Sequence, residues 1–165
     1  MAGRRLLSAG LIAVVVCGVA ATLAAVDDRG ICAAQPPKPE SIAACTRIIA
    51  SNRTSGHDRG LAYLFRAAAR RAQDDTIGAL ADYGEAIRLD PKNEIAYRGR
   101  GILLVDTGEA ARAIADFDQA LRLDPQDALT LYRRGVAKRK NGDVAGGDAD
   151  IAAAEAIKPD IAEPR

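Results

Sequence analysis

The sequence predicts an all-α fold in which helical hairpins stack side by side, and two observations support this. First, the chain repeats with a period of 34 residues, which superposes three sets of residues: Arg66, Arg100 and Arg134; Asp82, Asp116 and Asp150; Pro91, Pro125 and Pro159. Second, apolar residues recur within each copy at spacings of three and four, which is typical of amphipathic helices. One hairpin cannot bury its apolar face alone, so we expect the copies to form one folding unit.

The middle copy, 94–127, shows how each unit is built. Gly108 favours the left-handed conformation that ends a first helix, and the proline at 125 stops a second one. The small, apolar and aromatic residues between these signals are Tyr97, Gly101, Leu104, Ala113, Phe117, Ala120 and Pro125. This pattern resembles the tetratricopeptide repeat. The resemblance implies a right-handed α-solenoid of helix-turn-helix repeats over 40–165, with copies at 60–93, 94–127 and 128–161.

The first 25 residues are expected to direct the chain out of the cytoplasm. Arg4 and Arg5 precede an uncharged, largely apolar run over 6–26, and small residues follow near Ala24 and Ala25. This order is typical of a secretory signal peptide. The run is also long enough for an uncleaved inner-membrane anchor, because a spanning helix needs about 20 apolar residues. Either alternative places the remaining chain in the periplasm.

A short proline-containing linker is predicted over 26–39, followed by a lead-in helix over 40–51 that packs on the first repeat. With this helix, we expect seven helices and no sheet between Ser41 and Ile157. Cys32 and Cys45 are the cysteines left after the apolar run, and in an exported chain such a pair favours a disulfide over a metal site. This disulfide would fasten the linker to the solenoid.

The composition argues against several function classes. Tryptophan is absent and aromatic residues make up 4% of the chain, which disfavours stacking platforms for nucleic acid. The single histidine, His57, lies in a polar linker, and no nucleophile, metal-ligand set or phosphate-binding loop accompanies it. We therefore expect no enzyme activity, no metal and no cofactor. The net charge of +1 does not indicate a class of partner.

Local charge points to a binding surface. Basic residues outnumber acidic ones on the three first helices, and the second helices show the reverse. The resemblance implies that the first helices line a concave groove. The recurring arginines and aspartates suggest an internal ladder of ion pairs, in which Arg100 and Asp116 should be the best shielded. The remaining groove candidates are Arg71, Arg98, Tyr132, Arg133 and Arg139. Of these, Arg98→Ala or Arg133→Ala is expected to change stability by no more than about 0.5 kcal/mol.

Two function classes follow from this reading. The preferred one is a scaffold or adaptor outside the cytoplasm that binds a protein or peptide, including an acidic one, through its concave face. The alternative is a membrane-tethered structural or assembly factor that acts as a spacer. The chaperone-tail clamp of the resembled family is not expected here, because only Arg133 matches its five positions. The alanines expected on the end face bury little area, which favours a monomer.

Overall fold

The computed structural model describes residues 28–161, and it contains seven helices from Ser41 onward. They are α1 (Ser41–Ala50), α2 (Gly56–Arg71), α3 (Thr76–Leu89), α4 (Glu94–Asp106), α5 (Ala110–Leu123), α6 (Ala128–Lys140) and α7 (Val144–Ile157). No strand occurs in the described residues. The predicted all-α fold is therefore confirmed, as are the seven helices in this range. The predicted export segment, 1–25, lies outside the described residues, and within them no helix is long and apolar enough to cross a membrane.

Helix ends follow from local sequence signals. Asn93 and Asp75 are N-caps, and their side chains accept hydrogen bonds from the backbone N–H groups of Ala96 and Gly78. Gly108 adopts a φ of +84°, which favours glycine. The second helices end on residues that precede the repeated prolines and adopt extended backbone: Asp90, Asp124 and Lys158.

The helices form antiparallel hairpins, α2/α3, α4/α5 and α6/α7, that pack in chain order. The first helices α2, α4 and α6 also contact each other across successive repeats, whereas in the described chain the second helices α3, α5 and α7 do not. The first helices therefore form the tighter, inner layer of a curved array. The face that they turn away from the second helices is called the concave face below.

Small residues allow the two helices of a hairpin to approach closely. A Cβ added at Gly101 would lie 2.7 Å from the ring of Phe117, which is fully buried. A Cβ at Gly135 would lie 2.7 Å from the carbonyl oxygen of Gly147. Both distances are shorter than van der Waals contact, so glycine is required at these crossings.

The N-terminal end differs from the predicted linker. Residues 28–32 are helical, so the irregular part of the linker lies within 33–40. The sulfur atoms of Cys32 and Cys45 are 2.18 Å apart, so the predicted pair lies at disulfide distance. Both cysteines are buried, and Cys32 stands one period before Arg66. The segment 28–33 and α1 therefore form an incomplete hairpin. The Cys32–Cys45 pair joins its two parts, whereas the complete hairpins have an arginine–aspartate ion pair near the equivalent position.

Candidate functional site

The concave face carries one stripe of residues from each first helix. On α4 these residues recur at helical spacings of three and four, at Ile95, Arg98, Ile102 and Val105, and all are half-buried or exposed. The same positions hold Leu61, Leu64, Ala68 and Arg71 on α2, and Leu129, Tyr132, Val136 and Arg139 on α6. The face is therefore an apolar surface with arginines at intervals.

Ion pairs join each first helix to its own second helix, as the recurring residues predict. Arg100 donates from Nε and Nη2 to the two carboxylate oxygens of Asp116, both at 2.7 Å. Arg134 forms the same bidentate pair with Asp150, with both distances at 2.7 Å. Arg66 does so with Asp82, at 2.8 and 2.7 Å. These three pairs are called the ladder.

The central rung of the ladder is not the best shielded, so this prediction is wrong. The side chains of Arg100 and Asp116 are 27% and 9% exposed, against 12% and 4% for Arg66 and Asp82. The difference arises from extra partners in the first rung. Asp82 also binds Arg70 at 2.8 Å.

The arginines of the two outer rungs are less exposed than Arg100, because each has a third partner. The Nη1 atom of Arg66 donates to Thr46 at 2.9 Å, and that of Arg134 donates to Asp118 at 2.7 Å. One period before Asp118 stands Gly84, so among the described residues Arg100 has no equivalent third partner. A Cβ at Gly84 would meet nothing within 4 Å. Shielding therefore depends on neighbouring side chains, not on central position.

Arg98 is a structural residue as well as a candidate contact. Its guanidinium forms a short ion pair with Asp127, the N-cap of α6, so it ties α4 to the next repeat. Thr130 donates to the same carboxylate at 2.5 Å. Although burial raises the pKa of Asp127, hydrogen bonds from Thr130 and Arg98 hold it below its ordinary value. The expectation that Arg98→Ala leaves stability unchanged does not fit this geometry.

Arg71 and Arg98 lie on either side of a buried tyrosine. The Tyr83 side chain of α3 reaches between α2 and α4, where a Cβ on Gly99 would lie 2.5 Å from its ring. Burial raises the pKa of Tyr83, and the charges of Arg71 and Arg98 lower it by less. The structure thus brings these two predicted groove residues to one region. Arg71 is exposed, and it forms no ion pair or hydrogen bond with any residue in 28–161.

The other three predicted groove residues lie on α6. Tyr132 is half-buried, and Arg133 is exposed and forms no ion pair in the part of the chain that the structure describes. Arg139 is exposed and lies 3.6 Å from Asp148, itself well exposed. Such exposed pairs contribute little to stability, so Arg139 can exchange partners.

Sequence reasoning missed the apolar part of this surface. Ile95 is 45% exposed, and Ile102, Val105 and Val136 are half-buried on the concave face. The signal for this surface is the spacing of these residues at three and four along each first helix.

No group of three or more potential metal ligands occurs within 28–161. His57 is exposed at the start of α2. The described arrangement offers charge, hydrogen-bond donors and apolar area, which are means of recognition.

Stacked helical hairpins with a concave face define an α-solenoid of the protein-binding type. The tetratricopeptide-repeat profile matches residues 64–128 and 98–160, which together span more than half of the chain. The chain belongs to the tetratricopeptide-repeat family. Comparison with functionally characterised proteins finds no match.

Several solved structures are similar in fold. A crystal structure of MamA is 19% identical with a TM-score of 0.64, over 73% of this chain and 64% of that chain. The second TPR of Spaghetti (RPAP3), bound to the HSP90 peptide SRMEEVD, is 19% identical with a TM-score of 0.61, over 62% and 94%. YrrB, a TPR protein with an unusual peptide-binding site, is 18% identical with a TM-score of 0.63, over 73% and 60%. The chain spans less than two thirds of MamA and YrrB.

Proposed function

We propose that this chain is a non-catalytic scaffold that holds an extended, acidic protein segment on its concave face, outside the cytoplasm. The observation that carries the proposal is that some arginines of the first helices form ion pairs with the second helices and others do not. The ladder occupies Arg66, Arg100 and Arg134, whereas Arg71 and Arg133 are exposed on first helices and form no ion pair within the described residues. Arg71 belongs to the concave stripe of α2 and Arg133 adjoins Tyr132 of the stripe of α6, so both are available to a bound segment.

The apolar stripes add to this reading. Carboxylates on a bound segment would pair with Arg71 and Arg133, while its apolar side chains would cover Ile95, Ile102 and Val136. Apolar burial supplies most of the affinity in such contacts, and charge supplies register and association rate. The bound peptides of similar folds support a peptide partner in general. The chaperone-tail specificity is not proposed, because Arg133 alone matches that clamp.

Two features support a location in the periplasm. The N-terminal sequence has the order of an export signal or an inner-membrane anchor. Cys32 and Cys45 lie at disulfide distance, and disulfides persist in oxidising compartments. The spacer alternative shares this location but requires no bound segment.

Capture from a periplasmic extract tests the proposal. The immobilised wild-type chain should retain partners that a charge-reversed variant, Arg71→Glu with Arg133→Glu, does not. Lys92→Glu is the matched control, because Lys92 is exposed between α3 and α4 and away from the concave stripes. Equal capture by the wild type and the reversed variant would contradict the proposal, and capture of nothing by any of the three would favour the spacer.

A further inference from the structure

An apolar cavity lies at the N-terminal end of the array, between the segment 28–33 and α2. Its volume is about 190 Å³. The lining is mostly apolar, with one charged residue from each side, and consists of Arg29, Cys32, Ala33, Ile48, Asp58, Leu61, Ala62 and Phe65. Leu61 and Phe65 are half-buried, so both still present apolar surface to this space.

The cavity adjoins the concave face. Its two walls are the helical segment 28–32 and α2, which both hold the place of first helices, and Ile48 on α1 forms the floor. Leu61 belongs to both the cavity and the concave stripe of α2. The cavity is therefore continuous with the surface proposed to bind a segment.

The dimensions and chemistry of the cavity restrict what can occupy it. Small-molecule sites are usually about 300–1,000 Å³, so this cavity is too small for a drug-sized ligand and suits a single side chain. The rim charges, Arg29 and Asp58, form a pair at 3.3 Å in which Arg29 is 69% exposed. A pair this exposed is weak, so an incoming carboxylate can take Arg29 from Asp58.

We propose that this cavity receives a bulky apolar side chain of the bound segment, with an acidic neighbour pairing with Arg29. This rests on the proposed function and makes it more specific, because the partner must carry an apolar anchor beside its acidic residues. Arg71, Arg98 and Arg133 then hold the acidic part further along the concave face.

The disulfide makes this anchor site conditional on oxidation. Cys32 and Ala33 belong to one wall, and that wall is fastened to α1 through Cys45. Reduction releases the wall from α1 without touching Arg71 or Arg133. Oxidised and reduced protein should therefore differ in apolar preference and agree in acidic preference.

A phage-displayed library of random 12-residue peptides tests this inference on the oxidised, full chain. Selected peptides should be acidic and should share one bulky apolar position. Ala33→Phe places a side chain in the cavity, and Ala33 is exposed, so the core remains intact. Peptides selected on the wild type should bind this variant about tenfold more weakly, the loss expected from one apolar side chain left in water. The control Ala43→Phe, exposed on α1 outside the cavity, should bind them as the wild type does.

The outcomes separate this inference from the proposed function. Acidic peptides without a shared apolar position would overturn the anchor site and leave the proposed function standing, and that result is also expected if another part of this chain or a second copy fills the cavity. Loss of binding in Ala43→Phe equal to that in Ala33→Phe would overturn it as well. Equal affinity of oxidised and reduced protein for the selected peptides would overturn the dependence on the disulfide. Selected peptides with no acidic enrichment, or no selected peptides, would overturn both proposals.

Discussion

Replacing the aspartates of the ladder with alanine should show which ion pair contributes most to the free energy of unfolding. Asp82→Ala leaves Arg66 without its carboxylate and leaves Arg70 only the more exposed Asp75, 3.4 Å away, and the Asp82 side chain is 4% exposed. Breaking a buried pair costs about 3–5 kcal/mol, and partial solvent contact places this change near the lower limit, at about 3 kcal/mol. Asp116→Ala frees only Arg100, which is 27% exposed and can turn to water. We expect it to cost about 2 kcal/mol.

Urea unfolding at neutral pH measures both costs. The double variant Arg100→Ala with Asp116→Ala leaves no unpaired charge. Its loss of unfolding free energy should therefore be about 1 kcal/mol smaller than the sum of the two single losses. Asp118→Ala is a useful comparison, since its side chain is 41% exposed and its loss leaves Arg134 bound to Asp150. The reasoning is refuted if the Asp116 and Arg100 changes are additive and as mild as Asp118→Ala. It is also refuted if Asp116→Ala costs more than Asp82→Ala.

Three further predictions follow from other contacts. Arg98→Ala should lower the free energy of unfolding by about 1–2 kcal/mol, since it removes a half-buried ion pair to the cap of α6, and unchanged urea midpoints would contradict this. The pKa of Asp127 is lowered in the folded chain, so its stabilising contribution is present above its unfolded pKa of about 3.9 and is lost as pH falls through the folded value. Asp127→Asn, which keeps a capping side chain, should therefore flatten the loss of stability below about pH 4, and a parallel acid curve would count against the pair. The double variant Asp148→Leu with Glu155→Leu should self-associate in analytical ultracentrifugation. The reason is that the equivalent positions in the earlier repeats are apolar and pack on the next hairpin. A variant that stays monomeric would contradict the idea that these two acidic residues prevent packing on α7.

The last prediction depends on comparing positions one period apart. Leu80 and Ile114 pack against the next repeat, and Asp148 stands at the equivalent position on α7. The predicted exposed alanines of α7 are indeed exposed. A charged residue at this position disfavours the packing of another hairpin, or of a second copy, on α7. We therefore still predict a monomer.

The repeat pattern was sufficient to predict the fold. Gly101 against Phe117 and the extended residue before Pro125 are local features, and a 34-residue period copies them. The pairing of Arg100 with Asp116 could be predicted for the same reason, since both residues recur in step.

Features that occur once could not be predicted in this way. The exposure of Arg100 depends on Gly84, and the pairing of Arg98 depends on an aspartate at 127 where the preceding repeat has Asn93. The helical segment 28–32 preceded the first recognised copy and was assigned to a linker because of the prolines that follow it. For Arg100 and Arg98 the deciding residue belongs to a helix of another hairpin or caps one, which helical spacing within one hairpin does not show.

Site-specific photo-crosslinking in cells tests the central claim, a segment bound on the concave face, most directly. A photoreactive residue replaces Ala68, half-buried on the concave stripe of α2, or Ala111, exposed on the second helix α5. A bound segment should give a crosslinked product at Ala68 that disappears when Arg71 and Arg133 are changed to glutamate, and none at Ala111. Equal crosslinking at both positions, or crosslinking at Ala111 alone, would contradict it.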